Sequence, residues 1–339
     1  MDNQTRKQYK ALLAQVAQLN GVESATEQFT VTPAIQQRLE KAIQQSSAFL
    51  QQINIIGVKS ESGESIGLTV TGPIARRTNT AGGNRRNPKD LTSFKSDSYT
   101  CKMTEFDSGL PYSKLDAWAD FDNFQELVSK SIVEQQALDR IMVGFNGTSA
   151  AVATDPVANP LLQDVNIGWL EKVRTNAPEQ VMTEVVAASG EITIGAGGDY
   201  SSLHTLVQDL KSTLDPWHKK RSDLVVLLSS DMLDEKILKT MEKGDASNQE
   251  ELAADEILMK GRIGGLPPVD APFFPDGTVV VTTLKNMSIY FQKGARRRYL
   301  KDEPEYSRVA DYQSSNEAYV IEDLGLIAMA ENVTPYVAP

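Results

Sequence analysis

Residues 53–111 form a long stretch that has strand-like alternation and turn residues but little apolar mass to fold around. From Ile66 to Val70 apolar residues alternate with threonine and glycine, which is the period-two pattern of a half-buried strand. Gly72-Pro73 ends this pattern, and an extended stretch returns at 99–106. A two-stranded ribbon alone is marginal in water because its edges and its apolar face are exposed. We therefore expect an arm that other subunits cover.

Length and composition limit the class of protein. The 339 residues exceed what one compact core usually organises, so two or more lobes are expected. No run of about 18 apolar residues and no secretion signal is visible, which favours a cytoplasmic protein without a membrane partner. The single Cys101 cannot form an internal disulfide, which is consistent with a reducing compartment. A net charge of -11 argues against a dedicated nucleic-acid binder, although a protein lining a DNA-filled space would tolerate it.

Two helices are predicted before the arm. Apolar residues at helical spacing predict a short amphipathic helix over 4–19, which Asn20-Gly21 ends. A polar linker at 23–28 follows, so we expect this first helix to be detachable. Thr32-Pro33 starts the second helix, whose apolar face continues to Leu50.

The longest helical pattern follows the arm. Ser113-Lys114-Leu115-Asp116 has the spacing of a capping box, and apolar residues at steps of three or four continue to Asn146-Gly147. A helix of roughly thirty residues, at about 1.5 Å each, would span about 45 Å, which is natural for a structural spine. Further helices are predicted over 159–177 and 201–214.

The last third of the chain adds strands. The continuous apolar run at 223–228 is typical of a buried central strand. Period-two patterns predict further strands at 278–283, 287–291, 296–301 and 319–329. The fold class expected from these elements is α+β.

One sequence pattern could indicate an enzyme. Gly63-Glu64-Ser65-Ile66-Gly67 matches the nucleophile elbow of serine hydrolases, in which the serine follows a strand and precedes a helix. Here the residues after Ser65 are strand-like, and His204 and His218 belong to other predicted elements. We interpret the match as chance, and keep a hydrolase using Ser65 as an alternative.

Cofactor and metal sites are not indicated. Residues 195–198 are rich in glycine, but Tyr200 stands where the third glycine of a dinucleotide loop belongs, so a plain turn is predicted. Two histidines and one cysteine cannot provide the spacing of a zinc site. Asp120 and Asp122 point to different helix faces and are interpreted as solvated charges. We expect no catalytic residue, no cofactor and no metal.

Two groups of basic residues remain, one at the tip of the arm and one in a late strand. They are Arg76, Arg77, Arg85, Arg86 and Lys89, and Lys293, Arg296, Arg297, Arg298 and Lys301. Neither group is interleaved with aromatic residues that would stack on bases. We expect both to make salt bridges with an acidic neighbouring subunit, for which residues 231–256 are a plausible counterpart.

The layout resembles the HK97-type fold of tailed-phage major capsid proteins, and the residues resemble more closely the P2-like phage major capsid protein family. The resemblance extends over nearly the whole chain through an ordered series of short motifs. They are Phe29-Thr30-Val31, Thr71-Gly72-Pro73-Ile74-Ala75, Thr80-Ala81-Gly82-Gly83, Pro88-Lys89-Asp90, Gly144-Phe145-Asn146-Gly147, Asn159-Pro160, Leu162-Gln163-Asp164-Val165, Gly168-Trp169-Leu170, Ala177-Pro178, Gly198-Asp199-Tyr200, Leu252-Ala253-Ala254-Asp255 and Asn286-Met287-Ser288-Ile289-Tyr290.

The resemblance implies a division of the chain. It comprises an N-terminal scaffold-like segment (1–29), an N-arm (30–52), an E-loop region (53–112), a P-domain with the spine helix (113–200), an A-domain (201–300) and a return to the P-domain (301–339). A phage protease is expected to remove the first segment at a junction near Phe29 and Thr30.

The implied function is structural, with no enzymatic role. The chain would form pentamers and hexamers of itself that close an icosahedral shell around double-stranded DNA, bound without sequence specificity. The other implied partners are a scaffolding protein or prohead protease and a portal protein, and no membrane. Assembly would take place in the cytoplasm of the host bacterium, and the product would be a virion capsid. A scaffolding or tail-tube protein is the structural alternative.

Overall fold

The computed structural model describes residues 1–64, 75, 77–80, 85–86, 98–119, 124–195, 197–229, 231–232 and 261–336. Within these ranges helices pack on mixed sheets, which confirms the predicted α+β class. The strand predicted at 66–70 and most of the acidic stretch at 231–256 lie outside the described residues.

Six α-helices lie in the described ranges. They are α1 (Asn3–Asn20), α2 (Pro33–Ser46), α3 (Tyr112–Trp118), α4 (Phe124–Asn146), α5 (Trp169–Asn176) and α6 (Leu203–Thr213). Their ends follow local chemistry: Asp2 Oδ1 accepts a hydrogen bond from the Thr5 amide at 2.7 Å, and Gly21 adopts a φ of 65° after the last turn of α1. Pro33 occupies the first turn of α2, where its missing N–H costs nothing.

Sixteen strands accompany them in the same ranges. They are β1 (Phe29–Thr30), β2 (Asn54–Val58), β3 (Ser62–Glu64), β4 (Ser98–Thr100), β5 (Lys102–Glu105), β6 (Ser108–Pro111), β7 (Val181–Met182), β8 (Ile192–Ile194), β9 (Val225–Leu228), β10 (Pro268–Asp270), β11 (Val279–Thr282), β12 (Met287–Gln292), β13 (Arg297–Glu303), β14 (Arg308–Ile321), β15 (Ala328–Ala330) and β16 (Val333–Pro335).

A seven-stranded sheet is built around β14, in the order β1-β13-β14-β12-β2. The first half of the 14-residue β14 pairs with β13 and β6, and its second half pairs with β12 and β5. All four pairings are antiparallel. The sheet therefore joins segments from the start, the middle and the end of the chain.

In a five-stranded sheet, β10-β9-β11-β15-β7, the three central strands are buried on both faces. Leu227 on β9 and Val280 on β11 belong to the main core, whereas Val226 and Leu228 belong to a second core with α6. Because successive side chains of a strand point to opposite faces, a strand covered on both sides reads as a continuous apolar run. This confirms a buried central strand within the predicted range 223–228, although the strand begins at Val225 and Asp223 is exposed in the turn before it.

The main core is centred on Trp169, which is fully buried at the start of α5. Its indole ring makes edge contacts with Phe49, Phe145 and Tyr319, at centroid distances of 5.3 to 6.3 Å. Its Nε1 donates to the Ser288 carbonyl at 2.9 Å, so the buried polar atom is satisfied. This core ties α2, α4 and α5 to both large sheets.

Several predicted helices differ from those observed. Residues 159–168 form turns, because Pro160 interrupts the pattern and Asp155, Asn159 and Gln163 bond to nearby backbone groups. The spine is described as two helices, α3 and α4, and residues 120–123 lie outside the description. The capping box at Ser113 is wrong: α3 begins at Tyr112 without a side-chain cap, and Asp116 accepts bonds from the N-terminus of the chain. Helix α2 ends at Ser46, earlier than predicted.

The predicted strand at 319–329 is also wrong in extent. It contains the end of β14, a 3-10 turn over Leu324–Leu326, and β15 in the other large sheet. The first part of β14 was not predicted, because its buried positions include Asp311, Gln313 and Glu317. A test for alternating apolar residues does not detect a strand whose inward face is polar.

Candidate assembly sites

The predicted processing junction lies in a paired strand. Phe29 and Thr30 form β1, which is antiparallel to β13 with Phe29 opposite Arg298. On either side, the Leu300 amide donates to the Ala25 carbonyl at 3.1 Å and the Val31 amide donates to the Arg296 carbonyl at 2.9 Å. The Phe29 side chain is only 8% exposed, so the junction is part of the folded subunit.

The first helix is packed on the rest of the subunit, unlike the detachable helix expected from sequence. One apolar cluster joins α1 to the junction and to β13; its members are Leu12, Val16, Ala17, Ala25, Phe29, Val31 and Leu300. A second cluster places Tyr9 of α1 against the spine; its other members are Leu115, Phe124, Val128, Ile132 and Val309. The first cluster thus holds α1 against β13, and the second holds it against α3, α4 and β14.

The polar groups of α1 differ in whether they have hydrogen-bond partners within the described residues. Asp116 Oδ1 accepts from the Thr5 hydroxyl at 2.6 Å and from the Asp2 amide at 3.0 Å, which fixes the start of the helix. The buried Tyr9 hydroxyl has no hydrogen-bond partner among the described residues. Burial, together with the nearby charges of Asp302 and Asp311, raises the pKa of Tyr9, so its phenol stays neutral.

The arm leaves and rejoins the body at one place. Strands β3 and β4 are antiparallel, with Glu64 opposite Ser98, so the chain leaves this ribbon after Glu64 and returns to it at Ser98. Arg77, Arg85 and Arg86, which lie between these positions in the sequence, are exposed. Arg76 and Lys89, the other predicted contact residues there, lie outside the described residues.

The inter-subunit contact predicted for Arg296 is wrong, because this side chain is fully buried within its own subunit. Its guanidinium donates to Glu40 Oε1 at 3.0 Å, to Gln136 Oε1 at 2.7 Å and to Gln313 Oε1 at 2.9 Å. A buried charge needs such partners because desolvation is costly. Arg296 therefore joins α2, α4 and β14 from inside.

A second buried arginine completes this network. Arg140 on α4 donates to Glu40 Oε2 at 2.7 Å and to Glu317 at 3.1 and 2.5 Å. Burial alone would raise the pKa of Glu40, but the Arg140 and Arg296 guanidinium groups outweigh it and lower that pKa below its ordinary value. The network of Glu40, Arg140, Arg296 and Glu317 is thus internally neutral.

The remaining residues of the late basic group differ in exposure. Arg297 is exposed on β13, where it lies opposite Thr30. Arg298 is half-buried and pairs with Asp311 at 2.7 Å within the subunit. Lys301 lies 3.4 Å from Glu303. Of the three predicted contact arginines in this group, Arg297 is the one whose side chain is exposed.

The candidates for enzymatic chemistry do not come together in the part of the chain that the structure describes. His204 Nδ1 accepts from the Gly264 amide at 3.0 Å, and His218 Nε2 lies 2.9 Å from Asp323 Oδ2. Ser65, Asp120 and Asp122 lie outside the described residues. Among the residues with a described position, no cluster of His, Cys, Asp or Glu could hold a metal ion. None of the described helices is long and apolar enough to cross a membrane.

Comparisons with known protein sequences show which family this chain matches. Residues 8–333 match the family of phage major capsid proteins known as the P2 family. The capsid proteins of Escherichia phage P2 are 41% identical over 341 residues, which cover 98% of this chain and 95% of the relative. The major capsid protein of Serratia phage KSP20 is also 41% identical, with 98% of each protein covered.

Solved structures agree. One chain in the structure of the satellite phage P4 procapsid matches this protein with a TM-score of 0.83 and 38% identity, over 99% of both chains. That procapsid structure includes the size determination (Sid) protein. The capsid of an empty GTA particle matches with a TM-score of 0.53 and 16% identity, over 85% of this chain and 90% of that one. The second likeness concerns the fold alone, and the two together confirm the predicted HK97-type fold.

Proposed function

The chain belongs to the P2 family of phage major capsid proteins, and we propose that copies of it form the pentamers and hexamers of an icosahedral shell around packaged double-stranded DNA. As a family member the chain is a structural protein of a tailed-phage capsid and not an enzyme. The observation that carries the proposal is the full-length likeness to a procapsid chain.

The arm supports a shell in which subunits overlap. The chain leaves the β3–β4 ribbon after Glu64 and returns to it at Ser98, and three exposed arginines lie between these positions in the sequence. A short ribbon with open edges is stabilised when another chain covers it. We propose that the arm of one subunit lies on the next and that Arg76, Arg77, Arg85, Arg86 and Lys89 pair with acidic groups there, with Arg297 making a further contact.

We propose the same division of the chain that the sequence resemblance implies. The N-arm (30–52) leads into the E-loop region (53–112), the P-domain takes 113–200 and 301–339, and the A-domain takes 201–300. In support, α6 and β9 pack as a second core beside the main one. The A-domains would meet around the symmetry axis of each capsomer, where a closed ring satisfies every copy of the contact.

We further propose that a prohead protease removes residues 1–29 during assembly in the bacterial cytoplasm, and that a scaffolding protein and a portal protein take part. The shell would line the DNA without base-specific contacts, since phosphate contacts alone carry no sequence information. The net charge of -11 is consistent with an inner shell surface that binds DNA weakly.

Negative-stain electron microscopy of the expressed chain tests the proposal against its structural alternatives. Closed particles with five-fold and six-fold capsomers are expected. Open helical stacks would indicate a tail tube instead, because a head-to-tail contact that does not close makes filaments. A protein that remains unassembled alone, and is absent from particles when the other head proteins are present, would indicate a scaffold. Ser65→Ala should leave particle formation unchanged.

A further inference from the structure

We propose that α1, docked on its own subunit, blocks cleavage at the Phe29–Thr30 junction, so that the bond becomes accessible only after α1 has left its place. This inference rests on the proposed removal of residues 1–29 and assigns a regulatory role to the removed segment itself.

The backbone around the junction is held on both sides. The bonds from the Leu300 amide to Ala25 and from the Val31 amide to Arg296 bracket the junction, and the strand pairing of β1 lies between them. Proteases cut segments that are exposed and free to extend into the enzyme's groove, such as loop tips. The junction can meet this requirement only if β1 separates from β13.

Separation of β1 depends on α1, because the two share one apolar cluster. Phe29 is buried together with Leu12, Val16 and Ala17 of α1 and with Leu300 of β13. Moving β1 away from β13 while α1 stays docked would pull Phe29 out of this cluster and expose apolar surface. Opening of the junction is therefore coupled to undocking of α1 as one local unfolding unit.

Some features of the docked state favour the release of α1. Residues 26–28 of the linker are exposed, whereas Ala25 before them is buried and its carbonyl accepts from the Leu300 amide. The buried hydroxyl of Tyr9 lacks a hydrogen-bond partner among the described residues, which weakens the docked state relative to a tyrosine with a partner. Helix α1 is thus held by two small clusters and by the Asp116 bonds at its start, and the unpartnered Tyr9 hydroxyl opposes this docking.

The order of events follows from this coupling. When opening and closing are fast relative to cutting, the cleavage rate follows the fraction of subunits whose junction is open. A subunit with α1 docked is therefore protected, and processing follows whatever displaces α1. While docked, residues 1–20 therefore block their own removal, and we call these docked residues the latch.

Chymotrypsin tests the inference, because it cuts after aromatic residues and Phe29–Thr30 is such a bond. The purified full-length chain, in its unassembled form, is treated with the enzyme, and mass spectrometry follows the fragment that begins at Thr30. Cleavage after Phe145 and Phe274, both in the main core, reports global unfolding in the same sample.

Three variants change the docking of α1 in opposite directions. Tyr9→Phe removes the unpartnered hydroxyl and should slow appearance of the Thr30 fragment several-fold. Leu12→Ala and Tyr9→Ala remove buried apolar contacts and should speed it by about tenfold or more, since opening free energy converts directly to open population. Leu19→Ala, on the 51% exposed side chain of the same helix, is the matched control and should not change the rate.

The proposal is overturned if the wild-type junction is cut as readily as a free loop, or if Leu12→Ala and Leu19→Ala behave alike. It is also overturned if faster cleavage at Thr30 always comes with equally faster cleavage in the main core. Formation of closed shells is scored separately, so a subunit that assembles but lacks the latch would leave the capsid function intact. A chain that shows the latch but forms no shell would contradict the proposed function instead.

Discussion

Gly144 lies against the indole ring of Trp169 in the main core. A Cβ built on Gly144 would come within 2.2 Å of a Trp169 ring atom, far closer than real contacts allow. Gly147 and Gly168 are equally confined, because a Cβ on either would meet backbone atoms at 2.2 and 2.5 Å. These contacts give a physical reason for two of the motifs that carried the family resemblance.

We predict that Gly144→Ala destabilises the subunit by about 1–3 kcal/mol, the usual cost of overpacking a core. Denaturant unfolding measures this loss. The double variant with Trp169→Phe should recover part of it, because the smaller ring relieves the contact, and the two changes are coupled. Strictly additive losses would show that the indole ring is not the obstacle.

Glu40 makes the stability of the subunit depend on pH. Its pKa is lowered in the folded state, so its contribution is present above the ordinary carboxyl pKa and is lost as the pH falls through the lowered value. Glu40→Gln leaves Arg140 and Arg296 with one fewer charged partner. We predict a loss of about 3–5 kcal/mol at neutral pH, as for other broken buried pairs.

The acid dependence provides the control for this prediction. The difference between Glu40→Gln and wild type should shrink when unfolding is repeated at low pH, because protonation removes the same charge. Glu134→Gln breaks an exposed pair with Lys130 and should cost under about 1 kcal/mol at either pH. An equal effect of the two substitutions would contradict the role given to the buried network.

Residue identities alone did not locate this network. Arg296 belongs to a visibly basic run, and the sequence gives no sign that one arginine of three turns inward. Its partners lie 256 positions away at Glu40 and 160 positions away at Gln136. A buried charge is recognised only when such distant partners are placed around it, which requires the fold.

At the scale of elements, the described chain crosses between the two large sheets three times, once from β6 to β7 through α3 to α5 and then by two short crossings. One short crossing joins β11 to β12, and the other joins β14 to β15. Asn286 ties the short crossings together: its Nδ2 donates to the Asp323 carbonyl at 2.9 Å, and its Oδ1 accepts from the Asp323 amide at 2.8 Å. Its Nδ2 also lies 3.2 Å from Thr282 Oγ1.

We predict that Asn286→Ala costs about 1–3 kcal/mol, since the buried backbone groups of Asp323 lose their partner. Hydrogen exchange should become faster at the ends of β11 and β15 that adjoin the crossings. Asn316→Ala, which loses a single bond to Gln292 at 2.8 Å, is the matched control and should change exchange much less. Unchanged exchange in the first variant would show that the strands hold the crossings without Asn286.

Elements with an apolar pattern could be predicted from sequence, whereas those with polar interiors or turns could not. Helix α1 was found within a residue of its ends because the apolar spacing and the Asn20-Gly21 stop agree. The start of β14 was missed because its inward face carries Asp311, Gln313 and Glu317. The helix expected over 159–168 failed because side-chain bonds to the backbone replaced the helical ones.

At the scale of the whole molecule, the basic residues of the arm are assigned to assembly. We predict that replacing Arg76, Arg77, Arg85 and Arg86 with alanine lowers the yield of closed shells several-fold and leaves subunit unfolding unchanged, because three of these side chains are exposed. Shell yield of the wild type should also fall as salt rises, since exposed ion pairs are screened.

A charge-matched control separates the arm from a general effect of net charge. A variant that combines Lys41→Ala, Lys59→Ala, Lys130→Ala and Lys220→Ala also removes four exposed positive charges, but from the body. The yield of closed shells, measured by light scattering, should fall far more for the arm variant than for this control variant. An equal response would mean that the arm arginines have no specific partner.

The fold family could be predicted from sequence because many short motifs occur in order along the whole chain, although no single one is specific. The assembly contacts could not, since they join different copies of the chain. The docking of α1 was also missed, because a polar linker gives the same sequence pattern whether the helix before it is free or packed.

Sedimentation velocity of the purified chain, with and without residues 1–29, tests the capsid account most directly. Repeated weak contacts between many copies should give fast-sedimenting closed particles of many subunits in at least one of the two forms. If both forms sediment only as single subunits or small oligomers under assembly conditions, the chain does not build a shell by itself and the account is contradicted.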